Sequence, residues 1–169
     1  PGNTVSNLSS SRALKDVTEA YGQQYHAAAV GEVNVVAEMK RTHSVIGGEG
    51  NGGVIYPESH YGRDALVGVG LFLSHYVAQS KKMTELKSTY PPYFISKNKM
   101  TLSPDMDVDK ILEGLKERYA TEKVTDIDGV KIDFAQGWVH LRKSNTEPII
   151  RIYSEAKDEA AANQLAEEV

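Results

Sequence analysis

The sequence predicts two unlike halves: an α/β layered domain, then an α+β domain built on a four-stranded antiparallel sheet. Three observations predict it. In the first half, short β-like runs alternate with helical patterns, the rhythm of a layered α/β fold. Pro91 and Pro92 then interrupt both periods. Beyond them, four strand-like runs divided by turn signals lie between two helical patterns.

In chain order, "NTVSNL", "QQYHAAAV" and "HSVIGGE" read as strands, with "SSRALKDVTEAYG" and "EVNVVAEMKR" as helices between them. The longest helix follows Gly62. Leu66, Val67, Val69, Leu71, Phe72, Leu73, Tyr76 and Val77 cover nearly all its sides, which predicts packing between other elements. The stretch "KKMTELKSTYPPYFISKNK" reads as the boundary between domains 1–87 and 88–169. Next, Ser103 and Pro104 read as N-cap and first turn of a helix striped by Val108, Ile111, Leu112, Leu115 and Tyr119. "EKVTDI" and "VKIDF" flank Asp128 and Gly129, a two-residue hairpin signal. "GWVHLRKS" and "IIRIYSEA" complete the sheet, and "KDEAAANQLAEEV" is the final helix.

Composition narrows the function classes. The chain has 169 residues, 40% of them apolar, enough for a packed core. A formal charge of −4 and a pI near 5.7 give no electrostatic case for nucleic acid or an anionic membrane as partner. The absence of cysteine excludes disulfides and thiolate metal sites. No apolar run approaches the roughly 18 residues of a membrane span, and a cytoplasmic location is expected. The opening "PGNTVSNLSSS" has no initiator methionine, basic region or apolar signal core, and reads as part of something longer.

Two motifs carry chemistry. In "HLRKSNTEPIIRIYSEA", alternation puts Val139 and Leu141 on one face and Trp138, His140 and Arg142 on the other, aiming Arg142 at the turn from Ser144 to Pro148. That turn offers two hydroxyls, a side-chain amide and free backbone N–H groups, partners that suit a phosphate as well as an ordinary polar hairpin. In "GGEGNGG", a G-x-G-x-x-G spans Gly48 to Gly53, but the extended "VIYPES" follows where a dinucleotide site needs a helix. No Lys-Ser or Lys-Thr makes it a P-loop. Glu49 and Asn51 suit the adjacent hydroxyls of a sugar, against the alternative of a structural glycine loop.

No metal site is predicted. Asp105, Asp107 and Asp109 form D-x-D-x-D, yet Lys110 and Lys116 stand where a calcium loop needs glycine and glutamate, so they read as acidic residues opening a helix. His26, His43, His60, His75 and His140 lack metal-ligand spacing.

Together, "GEGNG" followed by "RKSNTEP" resembles the α-D-phosphohexomutase superfamily, whose third domain carries a Gly-Glu-x-Ser/Asn-Gly sugar loop and whose fourth an Arg-x-Ser-Asn-Thr-x-Pro phosphate loop. "AVGEVNV" and "HYGRDAL" are similar to further third-domain segments. The resemblance covers essentially the whole chain and is nearest to phosphoglucosamine mutases and phosphomannomutases. It implies an α/β/α domain 3, incomplete at its start, and a TBP-like domain 4.

It further implies that Arg142, Ser144, Asn145 and Thr146 hold the substrate's non-transferring phosphate, and that Glu49, Asn51 and Glu32 hold the sugar. Asn51 replaces a common serine and Gly53 a frequent histidine, so the hexose stays open between glucosamine and mannose phosphates. The family interconverts hexose 1- and 6-phosphates through a phosphoserine and a hexose 1,6-bisphosphate, with Mg2+ on an Asp-rich loop. Serine and loop belong to the first two domains, so no catalytic residue is expected here and the chain alone should be inactive. Its partners would be the phosphosugar and its own N-terminal domains, closing on a hinge at 87–93. A free-standing phosphosugar-binding module is the alternative.

Overall fold

Which side of each short strand a residue faces decides how the first half packs. The computed structural model describes residues 1–103, 106–144 and 147–169. It divides into Pro1–Pro92 and Tyr93–Val169.

The first unit runs β1 (Thr4–Asn7), α1 (Ala13–Ala20), β2 (Tyr25–Ala28), α2 (Glu32–Thr42), β3 (Ile46–Glu49), β4 (Gly53–Tyr56), β5 (His60–Arg63), α3 (Ala65–Gln79) and α4 (Met83–Lys87). The sheet order is β2-β1-β3-β4-β5, with β1 parallel to β2 and β3, and β4 antiparallel to both neighbours. Val5, Gly47 and Ile55 are register partners and share one face. Val5 and Ile55 join Ala28, Val35 and Met39 in a core under α2. Gly47 has no side chain because the Met39 thioether occupies its place. Thr4, one residue from Val5, faces the other way and meets Thr18 of α1 at 2.7 Å.

One expectation fails here. α3 was predicted to pack between elements, yet none of its residues is buried, and Leu66 is 83% exposed. It rests on β4, where Gly68 lies over Val54, and its outer side is bare.

The second unit runs β6 (Phe94–Thr101), α5 (Val108–Arg118), β7 (Lys123–Thr125), β8 (Val130–Asp133), β9 (Gly137–Lys143), β10 (Ile149–Ala156) and α6 (Glu159–Glu168). The antiparallel sheet has five strands, β6-β10-β9-β8-β7, where four were expected. The fifth, β6, comes from the segment read as boundary; it pairs with β10 from Phe94↔Ala156 to Thr101↔Ile149. It is an edge strand carrying Lys97 and Lys99, and such charges keep further strands from adding.

Val139, Leu141 and Ile150 form the core with Val108 and Leu115 of α5 and Leu165 of α6. Asp107, not Ser103, caps α5: its carboxylate accepts from the Lys110 N–H at 3.2 Å. Pro104 and Asp105 lie outside the described residues. The Asp128–Gly129 turn is longer than two residues, since pairing stops at Thr125↔Lys131. Gly129 has φ 66°, and a Cβ there would run into the Leu141 carbonyl.

Candidate functional site

In the first unit the glycine loop ends β3 and returns as β4. Gly52 turns the chain at φ 92° and donates to the Glu49 carbonyl at 3.1 Å. Asn51 stands exposed, its Oδ1 accepting from the Gly53 N–H at 3.0 Å. Beside it lies a cavity of about 520 Å³ bordered by Glu32, Asn51, Arg63 and Asp64.

Arg63, which the sequence reading quoted within "HYGRDAL" without a role, ties these groups together. Its Nε donates to Glu32 Oε2 at 2.8 Å and its backbone N–H to Glu32 Oε1 at 3.0 Å. Its Nη1 lies 3.3 Å from Glu49 Oε2. The other Glu49 oxygen accepts from Asn7 Nδ2 at 3.0 Å and the Gly31 N–H at 3.2 Å.

Glu49 is therefore a held carboxylate, its side chain only 5% exposed, whereas Glu32 and Asn51 border the open cavity. The Arg63 backbone N–H and then its guanidinium hold the Glu32 carboxyl below its usual pKa. Asp64 caps α3 by accepting from the Val67 N–H, and that bond and then His60 lower its pKa. Arg63 gave no sequence signal because Glu32 is 31 residues away. Arg63 itself stands in "HYGRDAL", but that motif says nothing of its partner.

In the second unit, β9 delivers Arg142 to the end of the sheet opposite Arg151 of β10. Like charges directly across a ladder repel, and Arg151 is offset by Glu147 at 3.0 Å. Arg142 Nε is buried and, among the described residues, donates to nothing. A buried guanidinium N–H without an acceptor costs free energy that an anion would recover. Ser144 is buried next to it, its N–H bonded to the Ile149 carbonyl at 2.9 Å. Asn145 and Thr146, the other two expected phosphate ligands, lie outside the described residues.

The face carrying Arg142 is not open to solvent along its length. Trp138 is fully buried with its Nε1–H on Glu155 Oε1 at 2.8 Å, and Lys131 Nζ sits 4.6 Å from its ring centroid. His140 is 1% exposed and donates from Nε2 to the Asp128 carbonyl at 2.7 Å. Burial lowers its pKa, the hydrogen bond to Asp128 works against that, and Lys131 and Arg142 add to the lowering. Among the described residues, no group of three or more carboxylates, histidines or cysteines is placed to hold a metal, and no helix is long and apolar enough to cross a membrane.

A layered α/β unit followed by an antiparallel α+β unit, with these two loops in this order, defines a class. The chain belongs to the phosphoglucomutase/phosphomannomutase family: residues 1–93 match its alpha/beta/alpha domain III and residues 97–169 its C-terminal domain. It is 36% identical to a phosphoglucosamine/phosphogalactosamine mutase of Sulfurisphaera tokodaii, over 98% of this chain and 37% of that protein. It is also 36% identical to a phosphoglucomutase/phosphomannomutase of Thermococcus kodakarensis, over 98% of this chain and 36% of that protein. The crystal structure of a family protein from Burkholderia thailandensis shares the fold, with a TM-score of 0.78 and 22% identity over 99% of this chain and 36% of that one. The chain thus spans little more than a third of the length of the relatives it matches.

Proposed function

We propose that this chain is the C-terminal part of a phosphohexomutase interconverting hexose 1- and 6-phosphates, with glucosamine phosphate or mannose phosphate as substrate. In this reading domain 3 (1–87) supplies sugar contacts and domain 4 (88–169) phosphate contacts. The observation that carries it is Arg142: a buried guanidinium N–H without an acceptor among the described residues, on the strand that leads into the hydroxyl-bearing sequence "SNTEP". Arg142, Ser144, Asn145 and Thr146 bind the phosphate that is not transferred. Glu32 and Asn51 bind sugar hydroxyls from the cavity edge, and Glu49 presents its remaining lone pair while fixing Arg63.

In this reading magnesium and the phosphoryl-carrying serine belong to the part of the protein that precedes this chain. Magnesium in the preceding part of a cytoplasmic enzyme would neutralise phosphoryl oxygens. This chain's own contribution is positioning, so alone it should not turn over phosphosugars.

The test is a mutase assay of the full-length parent with several hexose 1-phosphates, beside its Glu49→Gln variant. Glu49→Gln should lower kcat/KM while inorganic phosphate still binds the second unit. Loss of both in equal measure would refute the division of labour, and no turnover by the parent would refute the reading.

A further inference from the structure

The side-chain acceptors around the cavity beside the glycine loop are already taken. Glu32 Oε1 and Oε2 accept from the backbone N–H and the Nε of Arg63 at 3.0 and 2.8 Å. Asp64 Oδ1 accepts from the Val67 N–H at 3.0 Å, and its Oδ2 lies 3.0 Å from His60 Nε2. Asn51 Oδ1 accepts from the Gly53 N–H at 3.0 Å. The Glu49 carboxylate is met by Asn7 and Gly31 on one oxygen and by Arg63 on the other. Two donors are left over. Among the described residues, neither Asn51 Nδ2 nor Arg63 Nη2 has a hydrogen-bond partner, and both side chains border the cavity.

Gly53 is what lets Arg63 lie there. A Cβ at position 53 would stand 2.6 Å from Arg63 Cδ and 3.1 Å from its Cγ, so the arginine stem occupies the space that a side chain at 53 would need. Its Nε is fixed by Glu32, and the planar fork then fixes the remaining N–H groups at the cavity wall. A donor held in place before the ligand arrives loses little entropy on binding it. The ligand group that suits this wall is a neutral oxygen. A second phosphate does not suit it, because the carboxylates of Glu32 and Asp64 border the same cavity.

We infer that Arg63 contacts the sugar: its Nη2, with Asn51 Nδ2, donates to a hydroxyl oxygen of a neutral hexose phosphate and selects against an aminohexose phosphate that places an ammonium there. The inference deepens the proposed mutase reading and rests on it. An ammonium has donors and no acceptor, so it would leave both protein donors unpaired and set a second cation against the guanidinium. A site built to hydrogen-bond one group rejects the analogue that cannot answer it.

The test is kcat/KM of the full-length parent for mannose 1-phosphate and glucosamine 1-phosphate, beside its Arg63→Met and Gly53→Ala variants, with the Tm of each. The parent should favour mannose 1-phosphate. Its preference should shrink as pH rises, because the amine that has lost its proton offers a lone pair. Arg63→Met should cut the preference at least tenfold and remove its pH dependence. Gly53→Ala displaces the arginine stem without removing the charge; it should shift the preference the same way, and it carries the test if Arg63→Met does not fold. A parent that favours glucosamine 1-phosphate, or variants that lose both sugars equally, overturns the inference and leaves the mutase reading standing. A parent that turns over neither sugar refutes that reading instead. Calorimetric binding of mannose 6-phosphate and glucosamine 6-phosphate then decides on Arg63: a ratio unchanged by both variants overturns the contact, and a tenfold fall supports it.

Discussion

Arg63 stands between two carboxylates, at 2.8 Å from Glu32 and 3.3 Å from Glu49, and its charge offsets their repulsion. Arg63→Leu should leave Glu49 with two neutral donors and no cation, costing about 1–3 kcal/mol in stability; urea unfolding measures it. An unchanged midpoint would show that solvent replaces the guanidinium freely.

Arg142→Lys keeps the charge but loses the planar fork. In the full-length protein it should reduce kcat/KM for phosphosugars by roughly 1–3 kcal/mol of transition-state stabilisation, and equal constants would make Arg142 structural. His140 sets a pH dependence whose sign follows from burial. Its pKa is lowered in the folded state, so below about pH 6.5 the unfolded chain binds the proton first. Stability should be full above that value and fall as pH drops towards the folded pKa, below which the loss is complete. A His140→Gln variant should flatten this limb in thermal melts between pH 5 and 7.5.

The elements differ in how plainly the sequence announced them. β1 to β3 and the stripe of α5 were legible because burial imposes a period, and Val108, Leu115 and their neighbours do line the core, whereas the exposed β5 was not read as a strand. β6 was not legible: only Ser96 in it is buried, so a lysine-bearing edge strand reads as linker. α3 was legible as a helix but not in its packing, since hydrophobicity tells that a side will be covered and not by what. The start of α5 was misplaced because Ser103 and Asp107 are both good caps, and only backbone geometry chooses. Asp107→Ala should therefore destabilise the second unit by about 1 kcal/mol while Ser103→Ala stays within about 0.5 kcal/mol, as calorimetry would show.

For the molecule as a whole, family and order of loops were readable because "GEGNG" and "RKSNTEP" are each contiguous in sequence, and Gly52 takes a φ of 92° that favours glycine. What joins Glu49 to Asn7, Gly31 and Arg63 was not, because those contacts span from 14 to 42 residues of chain. The account's central claim is that Arg142 and the turn after it bind phosphate while the Glu32–Asn51 cleft reads the sugar. The most direct measurement is an amide chemical-shift titration of the chain with glucosamine 6-phosphate, mannose 6-phosphate and inorganic phosphate. The account predicts that all three shift residues 142–151, that only the sugar phosphates also shift residues 49–53 and 63, and that Arg142→Ala abolishes the first set. Phosphate-independent shifts at 142–151, or sugar phosphates that leave 49–53 and 63 unmoved at saturation, would contradict it.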